Sequence, residues 1–280
     1  MIKFLERLFS KQTSDATVRD VAALLAPLAA PAVHVVKTGA DSRSHFGGEP
    51  NLPEETSWPE LNGKKLGFIA RLSLAEIHKA RAVEWLPTSG ALLFFYDMEE
   101  QPWGFDPSDR GGSAVLHVPD LPNAISRPPE GEKGTSALPH RNIAFQRIDV
   151  TPSAQRESVD ALELNEQESD LLYEFSEKAF LGEPLHQVSG FPNPVQGDHM
   201  ELECQLVSNG LDCGNSSGYE NPRAKALEPG AANWRLLFQM DSDEDLGIMW
   251  GDGGLIYYWV EEQAARNGDF QNTWLILQCH

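Results

Sequence analysis

Three shortages mark this sequence: cations, cysteines and long apolar runs. Its 280 residues hold 22 Lys and Arg against 42 Asp and Glu, a net charge of −20. Such a field repels phosphate backbones, and no basic run interrupts it, so no nucleic-acid partner is expected. It attracts a basic protein or a metal cation instead. Cys204, Cys213 and Cys279 form no Cys-x-x-Cys pair, which gives neither a disulfide framework nor a zinc site. In MIKFLERLFSK, Glu6 and Arg7 interrupt the apolar stretch too early for a secretory leader, so a reducing cytoplasm is the expected location. The longest apolar run, VAALLAPLAAPAV, contains Pro27 and Pro31 and is far too short to span a bilayer. Catalytic signatures are missing too, with no His-x-x-x-His or His-Glu-x-x-His among the eight histidines.

What is present is a globular composition, 41% hydrophobic and 23% charged, long enough for a substantial core. Ile2, Leu5, Leu8 and Phe9 recur at helical spacing, and a second helix is expected over residues 15–25, ended by Pro27. Residues 1–30 are therefore read as an N-terminal helical segment. Beyond it, VHVVK, KLGFIARL, GALLFFYD, SAVLHV, IAFQRIDV, WRLLFQM, GLIYYWV and TWLILQC read as strands. GALLFFYD is apolar almost throughout, the pattern of a strand buried on both faces. Ser73 and Glu76 make a capping-box pattern before a short helix. Asn165 and Glu168 open the longest helix, whose expected buried stripe is Leu171, Leu172, Phe175 and Ala179. DHMELECQLVSNG is a further helix. Residues 119–139, rich in Pro, Gly and Ser, are expected to be a loop or domain joint. With no βαβ rhythm, the class is α+β, with mixed or antiparallel sheets and flanking helices.

A short internal match hints at duplication. GGEPNLP (Gly47–Pro53) and SGFPNPV (Ser189–Val195) share Gly-x-Pro-Asn, and apolar strand pairs follow each. This suggests a two-lobed domain over 31–280, with halves 31–150 and 151–280.

Several segments, SHFGGEPNLPEETSWP, GKKLGFIARLSLAEI, GFPNPVQGDHME, WRLLFQMDSDEDLGIMWGDGGLIYYWV and FQNTWLILQC, occur in an order that resembles the YwqG-like bacterial proteins over roughly residues 35–280. The resemblance implies a cytoplasmic α+β protein and brings no catalytic residues with it. His45 stands where that pattern leads one to expect Lys.

DSDEDLGIMWGD (Asp241–Asp252) gathers Asp241, Asp243, Asp245 and Asp252 within a dozen residues. Asp241, Asp243 and Asp245 fit the first three ligand positions of an EF-hand, but Leu246 replaces the turn glycine and Asp252 the final Glu. Strands rather than helices flank it, so an EF-hand is rejected. A polar turn is the first reading. A Ca or Mg site using Asp241, Asp243, Asp252 and His199 is the second, and there His45 or His199 would serve as a base toward water. GNSSG (Gly214–Gly218) matches the hydrolase elbow pattern without the strand and helix that the elbow needs, and reads as a polar loop. Trp234, Trp259 and Trp274 are expected in the core. Trp103, in QPWGFDP, is expected at the surface facing a partner, together with Asp241, Asp243 and Asp245.

These readings lead to an acidic cytoplasmic protein with no resident cofactor that captures a basic protein, in the manner of toxin neutralisation. The alternative is a metal-dependent hydrolase centred on Asp241–Asp252.

Overall fold

The computed structural model describes residues 18–53, 55–119, 125–126, 138–178, 180 and 182–280. The amphipathic pattern of Ile2–Phe9, Ala179 and most of the 119–139 loop lie outside the described residues.

Ten strands form one sheet: β1 (Ala30–Lys37), β2 (His45–Phe46), β3 (Gly67–Ser73), β4 (Ala91–Tyr96), β5 (Ser113–Val118), β6 (Arg141–Val150), β7 (Gln187–Val188), β8 (Trp234–Asp241), β9 (Leu255–Glu261) and β10 (Trp274–Gln278). Their spatial order is β10-β9-β8-β7-β1-β6-β2-β3-β4-β5, and the pairings are antiparallel. β1 and β6, the two longest neighbours, pair at the centre from Ala30↔Val150 to Lys37↔Ile143. On either side lies a short strand, then a three-strand meander.

The sheet curls almost into a barrel. Apolar residues of the two wings meet inside it: Phe94 of β4 lies 4.9 Å from Phe238 and 5.0 Å from Tyr258, centroid to centroid. The Tyr258 hydroxyl donates to the Phe95 carbonyl, 3.2 Å away, so the phenol stays satisfied in the core. β4 is buried on both faces as its apolar run requires. Trp234, Trp259 and Trp274 are buried too.

Two details recur in the wings. The β3–β4 register shifts between Phe68 and Ala70, and the β8–β9 register between Leu236 and Phe238, each skipping one bulged residue. After β2, Gly47 and Gly48 both take positive φ; after β7, Ser189 and Gly190 do the same.

Helices pack outside the sheet: α1 (Val21–Leu25), α2 (Leu74–Ala80), α3 (Glu157–Asp160), α4 (Glu166–Lys178), α5 (Met200–Ser208), α6 (Ser216–Glu220), α7 (Ala224–Leu227) and α8 (Glu262–Arg266). At α4, Asn165 and Glu168 exchange side-chain-to-backbone hydrogen bonds at 3.0 and 3.1 Å, the capping box that their spacing predicts. Arg19 also clamps Glu168, which holds that carboxyl down to about 2.

Three expectations need correcting. Ser73 makes no capping bond; Glu76 turns instead to the hydroxyls of Ser42 and Ser44 and the amide of Arg43. Of the expected stripe in α4, Leu172 is buried against α1, while Leu171 and Phe175 remain about 40% exposed, because a single short helix covers one narrow stripe. GNSSG runs into α6, where the Asn215 side chain accepts from the Ser217 amide and so starts a helix.

Candidate functional site

The Asp241–Asp252 segment joins β8 to β9 as a folded turn. Asp243 caps the 3-10 turn Glu244–Leu246, accepting from the Asp245 amide at 2.9 Å, and Gly247 closes it at φ 65°. The Ser242 hydroxyl donates to the Gly254 carbonyl and accepts from the Trp250 amide. Asp243 itself is only 4% exposed. Its oxygens receive Lys37 Nζ, from the end of β1, at 2.9 and 2.8 Å, and His186 Nε2 stands 3.3 Å away. His186 Nδ1 accepts from the Asp241 amide, so Nε2 carries the proton and donates to Asp243. Burial pushes the Asp243 carboxyl up, but His186 and Lys37 outweigh it and hold the group well below the usual range.

The four residues read as metal ligands are therefore not brought together. Asp241 accepts from the Leu185 amide, Asp243 is bound to Lys37 and His186, Asp252 is exposed, and His199 stands before α5 in a separate cleft. Among the described residues, no group of three or more His, Cys, Asp and Glu is arranged to hold a metal ion. His45 does not reach this loop either: it lies on β2, beside His140, and burial pushes it down to about 4. Lys37 and His186 carry no motif of their own, and only the fold reveals their part.

The same loop meets Trp103. Gln101, at φ 45°, donates from Nε2 to the Met249 carbonyl at 3.4 Å and accepts at Oε1 from the Gly251 amide at 2.9 Å. Two residues on, the Trp103 carbonyl accepts from the Leu277 amide of β10, and Gly104 accepts from the Trp274 indole. Only glycine fits at Gly104, where a Cβ would lie 1.8 Å from the Leu275 carbonyl oxygen. These anchors hold an indole that is 47% exposed and a Met249 that is 61% exposed. Segments 97–110 and 241–252 carry ten carboxylates against one cation, Arg110. Of the residues expected at a partner surface, Trp103 and Asp245 are exposed, whereas Asp243 is buried and Asp241 half-buried. Glu244 and Asp252 supply the outward charge that the buried pair does not.

A cleft of about 580 Å³ is lined by Arg156, Phe191, Asp198, His199 and Trp234. Arg156 crosses it with its guanidinium 5.0 Å from the Phe191 ring centre, bound to Asp198 and Glu201. Its donors are taken by carboxylates of the same protein, and His199 stands exposed at the rim.

A family model described as a domain of unknown function (DUF1963) matches residues 44–279. The chain belongs to that family. The DUF1963 match begins at Ser44, so the central strand β1 with Lys37 precedes the matched region although it completes the sheet. The Trp103 loop and the Asp241–Asp252 turn both fall inside it. No curated protein matches the chain. No helix among the described residues is long and apolar enough to cross a membrane.

Proposed function

We propose that this DUF1963 protein is a cytoplasmic binding protein that captures a basic protein partner through the face built by Trp103, Met249 and the carboxylates around them, as an immunity-type neutraliser would. One observation carries the reading: Gln101 ties the exposed Trp103 loop to the exposed Met249 turn, and the two segments together carry ten carboxylates against one cation. An aromatic anchor and a polarisable thioether give a contact centre, and a carboxylate rim steers a cation-rich partner. The alternative, a metal-dependent hydrolase on Asp241–Asp252 using Ca or Mg, has weaker support, since Asp243 already holds Lys37 and His186. We assign the chain to a YwqG-like bacterial branch of the family on the motifs quoted above.

We also propose that the two wings descend from a duplicated unit. Support comes from the strand order, which reads alike outward from β1 and from β6, from the bulges at Ile69 and Leu237, and from the paired left-handed residues after β2 and β7. The Ser73 amide donates to the Ser44 side chain just as the Asp241 amide donates to that of His186.

The test is capture from the native host at low salt, with wild type and Trp103→Ala/Met249→Ala side by side. A basic protein retained by the wild type, released by salt and lost from the variant supports the reading. Equal retention by both proteins, or retention indifferent to salt, removes it.

A further inference from the structure

We infer that α5 and α6 form a pH-sensitive buttress for the Trp103 loop, with Glu203 as its trigger; the role in docking rests on the binding reading above, whereas the buttress itself does not. Glu203 lies on α5, 8% exposed, in the layer of helices that covers β8–β10. Its Oε1 accepts from the Tyr219 hydroxyl of α6 at 3.3 Å, and its Oε2 is buried with no hydrogen-bond partner. The chain between the two helices reaches the docking face directly. The Cys213 amide donates to the Phe105 carbonyl at 2.7 Å, two residues from Trp103. Arg110, beyond the same loop, donates to the Ser208 carbonyl at the end of α5. Whatever loosens residues 211–220 removes a support of the Trp103 loop.

Among the described residues no cation is bonded to Glu203. Glu201 and Asp198 on its own side are negative and already bound by Arg156. Cys204 beside it and Cys213 before α6 are buried thiols, the latter pushed up to about 11 by burial. From the other packed elements, Arg223 donates to the Asn209 carbonyl and Arg235 pairs with Glu262, while Lys225 and Glu228 make no bond to Glu203. Burial therefore pushes the Glu203 carboxyl up to about 7, against the single opposing hydrogen bond from Tyr219.

The consequence follows from linkage. The closed α5–α6 contact keeps the acid uncharged up to about neutral pH, whereas the opened form ionises above the ordinary carboxyl range. Closure therefore loses ground from there until pH passes the folded value. As pH rises through the folded value, the closed form must bury a carboxylate with one oxygen unpartnered, while the opened form exposes it to water. With an ordinary carboxyl in the opened form, opening of residues 211–220 becomes about tenfold easier between about pH 6 and pH 8.

Hydrogen exchange followed by mass spectrometry on the full chain tests this at those two pH values, corrected for intrinsic exchange. In the wild type, protection of 211–220 should fall about tenfold at the higher pH, and that of 101–106 should fall with it. Glu203→Gln, which imitates the neutral acid, should show neither loss. Tyr219→Phe removes the one bond that favours the carboxylate, so its loss of protection should continue to higher pH and exceed that of the wild type between the two pH values. Unchanged protection of 211–220 in the wild type, or the same loss in Glu203→Gln, overturns the switch. A loss confined to 211–220 overturns its link to the Trp103 loop. None of these readouts needs a partner, so they stand apart from the outcome of the capture experiment.

Discussion

Lys37 and Asp243 show how one residue can be misread from its neighbours in sequence. Asp243 sits among five acidic residues in a row of twelve, which suggests a cation site, and a cation is indeed there: the ammonium of Lys37, 206 positions away in sequence. Replacing Lys37 by Met leaves a buried carboxylate with no ammonium beside it, held by the His186 ring and the Asp245 amide, and should cost about 3 kcal/mol in urea unfolding at neutral pH. The sign of the pH dependence follows from the depressed Asp243. Its contribution is present above the ordinary aspartate range and is lost as pH falls through its folded value, so the gap between wild type and variant should close in acid. The paired acids of this turn were legible in the sequence; their counter-ion was not, because it comes from a strand at the centre of the sheet. The exposure of Trp103 was legible, since an aromatic between Pro102 and Gly104 lies in a loop.

Among elements, the turns after β2 and β7 each pass through two residues of positive φ. Gly47 has φ 52° and a Cβ there would lie 2.3 Å from the Leu138 carbonyl oxygen. Gly63 has φ 79° with nothing within 4 Å. The comparison separates crowding from backbone preference. Gly63→Ala should cost about 1 kcal/mol, the left-handed penalty alone. Gly47→Ala should cost roughly 3 kcal/mol, because the backbone of residue 138 must also move. Guanidinium unfolding of the two variants gives the difference directly. Most strands were readable as apolar runs, and α5 as a periodic helix. The helix α4 was readable in place but not in orientation: Leu171, Leu172 and Phe175 look alike in sequence, and which one is buried depends on where α1 crosses it.

For the whole molecule, the excess of carboxylates acts against compactness as well as for selectivity. Self-repulsion at a net charge of −20 is long-ranged and therefore screened by salt, whereas the half-buried Lys37–Asp243 pair is screened much less. Raising NaCl from about 50 to about 500 mM should raise the melting temperature of the free protein by a few degrees while it weakens the complex with a basic partner. A melting temperature that falls with salt would show that ion pairs, not repulsion, dominate the surface.

By itself the sequence determined the balance of forces: the acidic field, the apolar strands long enough to pair, the glycines that must turn, and an aromatic with no strand to hide in. These follow from local chemistry, because charge, hydrophobicity and backbone freedom belong to a residue wherever it lies. Tertiary structure alone decided which carboxylates face water and which face Lys37, that β1 and β6 would pair at the centre, and that Gln101 would join Trp103 to Met249. Those facts depend on contacts more than a hundred residues apart, and only burial of the whole sheet selects among the pairings that the same local patterns allow.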